Sequence, residues 1–201
     1  MAETTRRPVA TRPGGRSARV RAAALAATLE ELAQEGYPTL SLDSVARRAG
    51  VHKTTLYRRW GTREALVLEA MLERVSERVP VPDTGSLRDD LLALARDAAA
   101  TMTSPEGEAL VRAVAAAGAH DSALAAANRQ FWDERLALDG AVVERAVARG
   151  EVPAETEPRP VIEALLGPLY FRLLVTGERP DRRFIGQVVD LVIDGAGRAR
   201  V

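Results

Sequence analysis

The sequence predicts an all-α protein of about nine helices, in which a small N-terminal helical unit joins a larger helical body. Alanine, leucine, glutamate and arginine, all strong helix formers, are prominent in a 201-residue chain that is 46% hydrophobic. Runs of β-branched and aromatic residues long enough for strands are scarce. Apolar residues instead recur every three or four positions, between glycines and prolines that stop helices.

Met1 to Arg16 carries Pro8, Pro13, Gly14 and Gly15 without apolar periodicity, and reads as a flexible basic arm. Ser17 can cap a first helix running to about Glu35, with Val20, Ala24, Leu25, Leu29 and Leu32 on one face and Gly36 ending it. Ser41 can cap a short second helix, Leu42 to Ala49, and Gly50 marks the turn after it. A third helix covers Lys53 to Trp60. Gly61 stops it, and Thr62 caps a fourth that runs to about Arg78. Pro80 and Pro82 make residues 80–85 a linker. The organisation expected is thus an arm at 1–16, a unit at 17–79 and a body at 80–201.

In the body, one helix is expected from Ser86 to Thr101 and another from Pro105 to Ala117. A long helix from Ser122 to Arg149 ends at Gly150 and Pro153. The next starts near Pro160 and carries Ile162, Leu165, Leu166, Leu169 and Leu173, with a kink predicted at Gly167-Pro168. The last, Asp181 to Ala196, carries Phe184, Ile185, Val188, Leu191 and Val192.

Composition narrows the chemistry. The chain has no cysteine, and His52 and His120 lack metal-ligand spacing, so no metal or other cofactor is expected. No apolar run is long enough to span a bilayer, and no apolar stretch follows the N-terminal arginines as in a signal peptide. A soluble cytoplasmic protein without a membrane partner is expected. The net charge is zero but unevenly spread. Residues 1–63 hold twelve basic side chains against five acidic ones, and the remainder carries the opposite excess. Such asymmetry suits a polyanion at one end, or a solvated arginine-rich tail.

Residues 41–60 have the grammar of a helix-turn-helix. Ala46 is small enough for a second helix to approach, and Gly50 suits a turn with positive φ. Val45, Ala49, Val51 and Leu56 are the apolar pins, leaving polar and basic side chains between them. The run Val51-His-Lys-Thr-Thr-Leu-Tyr-Arg-Arg-Trp-Gly-Thr-Arg-Glu-Ala-Leu66 resembles the signature of the TetR (tetracycline-repressor) family of transcriptional regulators. Thr55, Leu56, Tyr57, Trp60, Thr62, Glu64 and Leu66 match in type and spacing, and the resemblance extends from about Ala18 to Met71. His52 departs from the serine-like cap usual at its position, and imidazole is a poorer N-cap. Arg63 and Arg59 replace a common lysine and histidine.

The resemblance implies a sequence-specific DNA-binding regulator, not an enzyme: a ligand-responsive repressor that binds double-stranded operator DNA as a homodimer. Lys53, Thr54 and Thr55 should face the major groove, and Tyr57, Arg63 and Ser41 should meet phosphates. Arg58 and Arg59 join them by charge, and Arg12 and Arg16 would reach a neighbouring minor groove. Plainer roles stand beside these: Tyr57 as a half-buried core residue, Lys53 as a surface residue, Ser41 and Thr62 as caps alone. Trp60 reads as core.

The last two helices are the expected dimer interface through Leu165, Leu169, Leu173, Phe184, Val188, Leu191 and Val192, with a larger monomer core as the alternative. Met102, His120, Phe131, Trp132, Arg135 and Tyr170, with Met71 and Arg172, are candidates to line an effector pocket, each with ordinary packing or surface placement as its rival role. Two other functions fit the body less well: a DNA-binding dimer that senses nothing, and a helical-bundle enzyme, for which no phosphate loop, nucleophile elbow or metal motif is present.

Overall fold

The computed structural model describes residues 15–118 and 122–197. Among the described residues there are nine α-helices and no strands: α1 (Gly15–Glu35), α2 (Leu42–Ala49), α3 (Lys53–Trp60), α4 (Arg63–Arg78), α5 (Leu87–Met102), α6 (Pro105–Gly118), α7 (Ser122–Ala148), α8 (Pro158–Phe171) and α9 (Arg182–Ala196). Local chemistry accounts for most of the boundaries. Ser41 accepts the Ser44 N–H at 3.0 Å and Ser44 accepts the Ser41 N–H at 3.0 Å, a reciprocal cap on α2. Thr62 caps α4, Ser86 caps α5 and Asp181 caps α9 through N–H groups three residues on. Gly50 ends α2 in the left-handed region, at φ 65°.

Three features depart from expectation. A 3-10 turn at Tyr37–Thr39 sits between α1 and α2, started by Pro38. The eighth helix starts two residues early, at Pro158, where a proline suits the first turn. Past Pro168, which supplies no N–H to the ladder, the helix continues to Phe171 and then widens into a π-helical turn at Arg172–Thr176 that Gly177 closes at φ 72°.

Two apolar clusters form. The N-terminal one packs α1, α2, α3 and the start of α4 around Leu32, Leu40, Val45, Leu56 and Leu66, and α7 adds Leu124 to it. The body cluster centres on Leu91, Leu94, Ile162, Leu165 and Leu169 from α5 and α8, with Val142 and Val189 from α7 and α9. The helix α4 runs from one cluster toward the other, and Val79, just past its end, is buried in the second.

The anticipated dimer residues need correction. Leu165, Leu169, Leu173, Val188 and Val192 are buried within their own chain, and Phe184 is half-buried under the Arg172 guanidinium at 3.7 Å. Of the seven, Leu191 alone is on the surface, 73% exposed. A helical period shows that a face is apolar, but it does not say which neighbour covers that face.

One buried ion pair stands inside the body. Arg135, 4% exposed, donates from Nε to Asp139 Oδ2 at 2.9 Å, and its Nη2 bonds both Asp139 Oδ1 and the Val79 carbonyl, the latter at 2.8 Å. Burial pushes the Asp139 carboxyl above its ordinary range, and the Arg135 charge and hydrogen bond only partly offset this. Removing one partner leaves the other charge stranded, so Arg135→Met is expected to cost about 3–5 kcal/mol. Arg135→Met combined with Asp139→Leu should recover most of that loss. Urea denaturation of the single and double variants checks the cycle, and equal losses in both would contradict it.

Candidate nucleic-acid interface and body cavity

The back of α3 is apolar and buried. Leu56 is fully covered and Trp60 is 8% exposed. The Trp60 indole N–H donates to Glu69 Oε2 at 2.6 Å, and Glu69 Oε1 accepts from Arg21 Nε, also at 2.6 Å. Arg21 reaches one turn further and binds Glu73 through both Nη atoms at 2.8 Å. The two carboxylates raise the Arg21 pKa above its ordinary value, Glu73 contributing most, while Arg21 holds the Glu73 carboxyl below its own. One arginine of α1 and one glutamate of α4 therefore fix the C-terminal end of α3. The sequence reading did not single out Glu69 or Arg21, whose partners lie 9 and 48 residues away.

With its back fixed, α3 turns its other side outward. Lys53, Thr54, Tyr57, Arg58 and Arg59 are exposed, and Thr55 is half-buried beside them. Lys53 pairs loosely with Asp43 at 3.5 Å, both side chains being largely solvated. Tyr57 is 50% exposed, with no hydrogen-bond partner among the described residues, so it is not a core tyrosine. Arg59 lies over the Trp60 ring at 5.2 Å and 4.0 Å from Glu69. His52 stands at the cap of α3 and makes no side-chain cap bond. Ser41 is exposed at the start of α2 while serving as its cap. Arg47 is exposed, whereas Arg48 is tied back to Glu31, Gln34 and Glu35 on α1. Arg12 lies outside the described residues, as does the Arg16 side chain.

Arg63, expected at a phosphate, is engaged within the protein in this structure, its side chain 31% exposed. Nε donates to Glu64 at 2.9 Å, Nη1 donates to the Leu40 carbonyl at 3.2 Å, and the group lies 4.3 Å from the Tyr37 ring centre. The Tyr37 hydroxyl donates to the same Glu64 carboxylate at 2.6 Å. Burial pushes Glu64 upward, but Tyr37, its own backbone N–H and Arg63 outweigh that and hold the carboxyl below the ordinary range. The Arg63–Glu64–Tyr37 group thus joins the start of α4 to the loop before α2.

Behind this unit lies a cavity of about 1020 Å³, walled by α1, α4, α5, α6, α7 and α8. Met71, Met102, Phe131, Trp132, Arg135 and Tyr170 line it. Phe131, Trp132 and Tyr170 form an edge-to-face aromatic wall, with ring centres 5.1 and 5.3 Å apart. His120 lies outside the described residues. Arg172 sits over Phe184 and pairs with Glu178 at 3.4 Å, so it serves the π-helical turn and is not part of the wall. Among the described residues no group of three or more acidic or histidine side chains could hold a metal ion.

Comparison with known proteins places both halves of the chain. Residues 24–70 match the family model for bacterial regulatory proteins of the tetR family, and residues 81–192 match the tetracyclin repressor-like C-terminal domain. The HTH-type transcriptional regulator AqdR of Rhodococcus erythropolis is 34% identical over 180 residues, 90% of this chain and 86% of the relative. The DNA-binding transcriptional repressor TetR of Mycobacteroides abscessus is 36% identical over 177 residues, 86% of this chain and 90% of the relative. The crystal structure of the TetR family transcription regulator SCO0332 superposes with a TM-score of 0.74 at 36% identity, covering 88% of this chain and 98% of the other.

The Glu64 network has a pH signature. Its folded-state pKa is depressed, so the stability it contributes is present above the ordinary carboxylate value and is lost as pH falls through the lower folded value. The melting temperature of the wild type should exceed that of Glu64→Gln at about pH 6, and the gap should narrow toward about pH 3. A gap that stays constant across that window would exclude the depressed carboxyl as its source.

Proposed function

Because the chain belongs to the TetR family of bacterial transcriptional regulators, we propose that it works as a ligand-responsive repressor, two copies of which read the two halves of a palindromic operator. It is a DNA-binding regulator of transcription. The observation that carries the reading is the solvent face of α3, where Lys53, Thr54, Tyr57 and Arg58 project from a helix whose other side is pinned by Leu56 and Trp60. A short helix of this kind fits the major groove with its early residues at the base edges. Lys53, Thr54 and Thr55 supply base contacts in this reading. Tyr57, Arg58, Arg59 and Ser41 supply phosphate contacts, with Arg12 and Arg16 reaching a minor groove. Residues 17–79 then act as the DNA-binding unit and 80–201 as the sensing and dimerising body, in the cytoplasm with the DNA. No described helix is long and apolar enough to cross a membrane.

Selection of bound duplexes from a random pool tests the operator claim, and a two-fold repeated motif is the expected product. On the selected duplex, Lys53→Ala should change sequence preference. Tyr57→Phe should weaken specific and non-specific binding alike, by a few-fold per half-site. Log affinity should fall linearly with log salt, with a slope near −0.9 for each phosphate neutralised. A selected pool without symmetry, or a flat salt response, would contradict the reading.

Dimerisation is best supported by a face of α8 and α9 that the chain leaves uncovered. Ala164, Gly167, Phe171 and Val175 follow one side of α8 and its π-helical extension, with Phe171 56% and Val175 68% exposed. On α9, Leu191 is the exposed counterpart. Exposed apolar side chains of this size on two helices packed side by side suit an interface, and small residues let two helices approach closely. Leu191→Arg is expected to move the sedimentation profile from dimer to monomer and to lower operator affinity at least tenfold, since half-sites would then bind singly. A variant that remains dimeric would place the interface elsewhere.

The effector claim rests on the cavity and on its bond to α4. Arg135 lines the cavity and also donates to the carbonyl of Val79, so a change in the wall is felt at the end of the helix that begins beneath α3. An inducer would act by binding the DNA-incompetent arrangement more tightly than the competent one.

A further inference from the structure

The wall chemistry of the cavity narrows what it can hold. The deep part carries one cation and one anion, Arg135 and Asp139, already bonded to each other. Its net charge is zero. A ligand carboxylate would enter beside Asp139, whose own carboxyl burial already pushes upward, and would compete with it for a guanidinium whose Nε and Nη2 are in use. A ligand ammonium would meet Arg135 with no second acid beside it. At the rim, Arg74 bonds Glu106 and Arg159 bonds Glu163 at 2.8 Å, Glu30 lies 3.9 Å from Arg48, and Arg78 stands exposed to solvent, so the lining as a whole carries four cations and four anions.

Within the aromatic wall, the polar group is a donor. Tyr170 lines the cavity next to Trp132, and no described residue bonds its hydroxyl. Burial raises the phenol well above its ordinary value, with the Arg135 charge pulling the other way, so at neutral pH the hydroxyl keeps its proton. The hydroxyl has no acceptor among the described residues and opens on the cavity, so an oxygen on a bound molecule can take its hydrogen in place of water. Around it, the Phe131–Trp132–Tyr170 wall offers ring faces and edges to a flat molecule, and the volume of about 1020 Å³ admits three or four fused rings.

We propose, resting on the reading of this cavity as the effector site, that it selects an uncharged polycyclic aromatic compound carrying a carbonyl oxygen, which accepts the hydrogen of the Tyr170 hydroxyl. Neutrality comes from the Arg135–Asp139 pair, ring shape from the aromatic wall, and the acceptor from Tyr170.

Three dyes of similar bulk test the class on the full-length protein by fluorescence titration: uncharged Nile red, which carries a ring carbonyl, anionic anilinonaphthalene sulfonate, and cationic berberine. Nile red should saturate at one site per chain and bind at least tenfold more tightly than either ion. Tyr170→Phe keeps the ring and should weaken Nile red about fivefold. Ala98→Trp, which projects an indole into the cavity from α5, should abolish saturable binding. If no dye gives saturable binding that Ala98→Trp removes, the effector-site reading fails and the proposal with it. If an ionic dye binds there as tightly as Nile red, or Tyr170→Phe leaves Nile red unaffected, the cavity remains a binding site but the uncharged carbonyl class is overturned.

Discussion

Leu56 and Trp60 carry the back of α3 into the core formed with α1 and α4, and the indole N–H must find an acceptor once it is there. Glu69 supplies that acceptor, and Arg21 balances the charge that Glu69 brings. This arrangement holds an eight-residue segment, too short to be helical alone in water, as a helix with one buried and one open face. The basic and hydroxyl side chains on the opposite side need no partners from the protein. Their exposure follows from what is buried behind them.

The helix α4 gives this anchoring a longer reach. Its start is capped by Thr62 and tied through Glu64 to Tyr37 and Arg63, and its middle supplies Glu69 to Trp60. Its last carbonyls belong to the body, where Arg135 takes the one on Val79. A helix of sixteen residues is stiff over this distance, so its two ends cannot move independently. A second connection runs through α6, which lines the cavity and packs against α1. Both routes start at the cavity wall and end at elements that hold α3. Coupling between the sites therefore needs only two arrangements of the wall with different affinities for a ligand.

The short-range grammar was readable from the sequence and the long-range partners were not. The limits of α2 and α3 follow from Ser41, Gly50 and Gly61, each of which acts on its immediate neighbours. Leu56 and Trp60 face inward by the same period that turns Lys53 and Tyr57 outward. Arg63 stands next to Glu64 in sequence, but the Leu40 carbonyl that it also reaches lies 23 residues away. In α8 and α9 the strongest apolar residues, Leu165, Leu169 and Val188, fill the chain's own core, whereas the exposed patch uses Phe171, Val175 and Leu191. Both sets have helical spacing, and only the position of α5 and α7 decides between them. Gly167-Pro168 pointed to a distortion, but the form it takes, a π-helical turn one step later, depends on how the ladder closes after the missing N–H.

The buried Arg135–Asp139 pair is poor as a device for stability alone. Two well-packed apolar side chains in the same space would do as well or better, since each charge is taken out of water. Its geometry suggests a different use. The C-terminal end of a helix has carbonyls without intrahelical partners and a partial negative charge, and a cation there satisfies both. Arg135 meets that need at Val79 and remains in the cavity wall, with Asp139 keeping the site neutral. An apolar replacement could fill the volume but would leave the Val79 carbonyl without this donor. A polar fork at this point ties the end of α4 to a side chain that also lines the cavity, a link that packing alone would not supply.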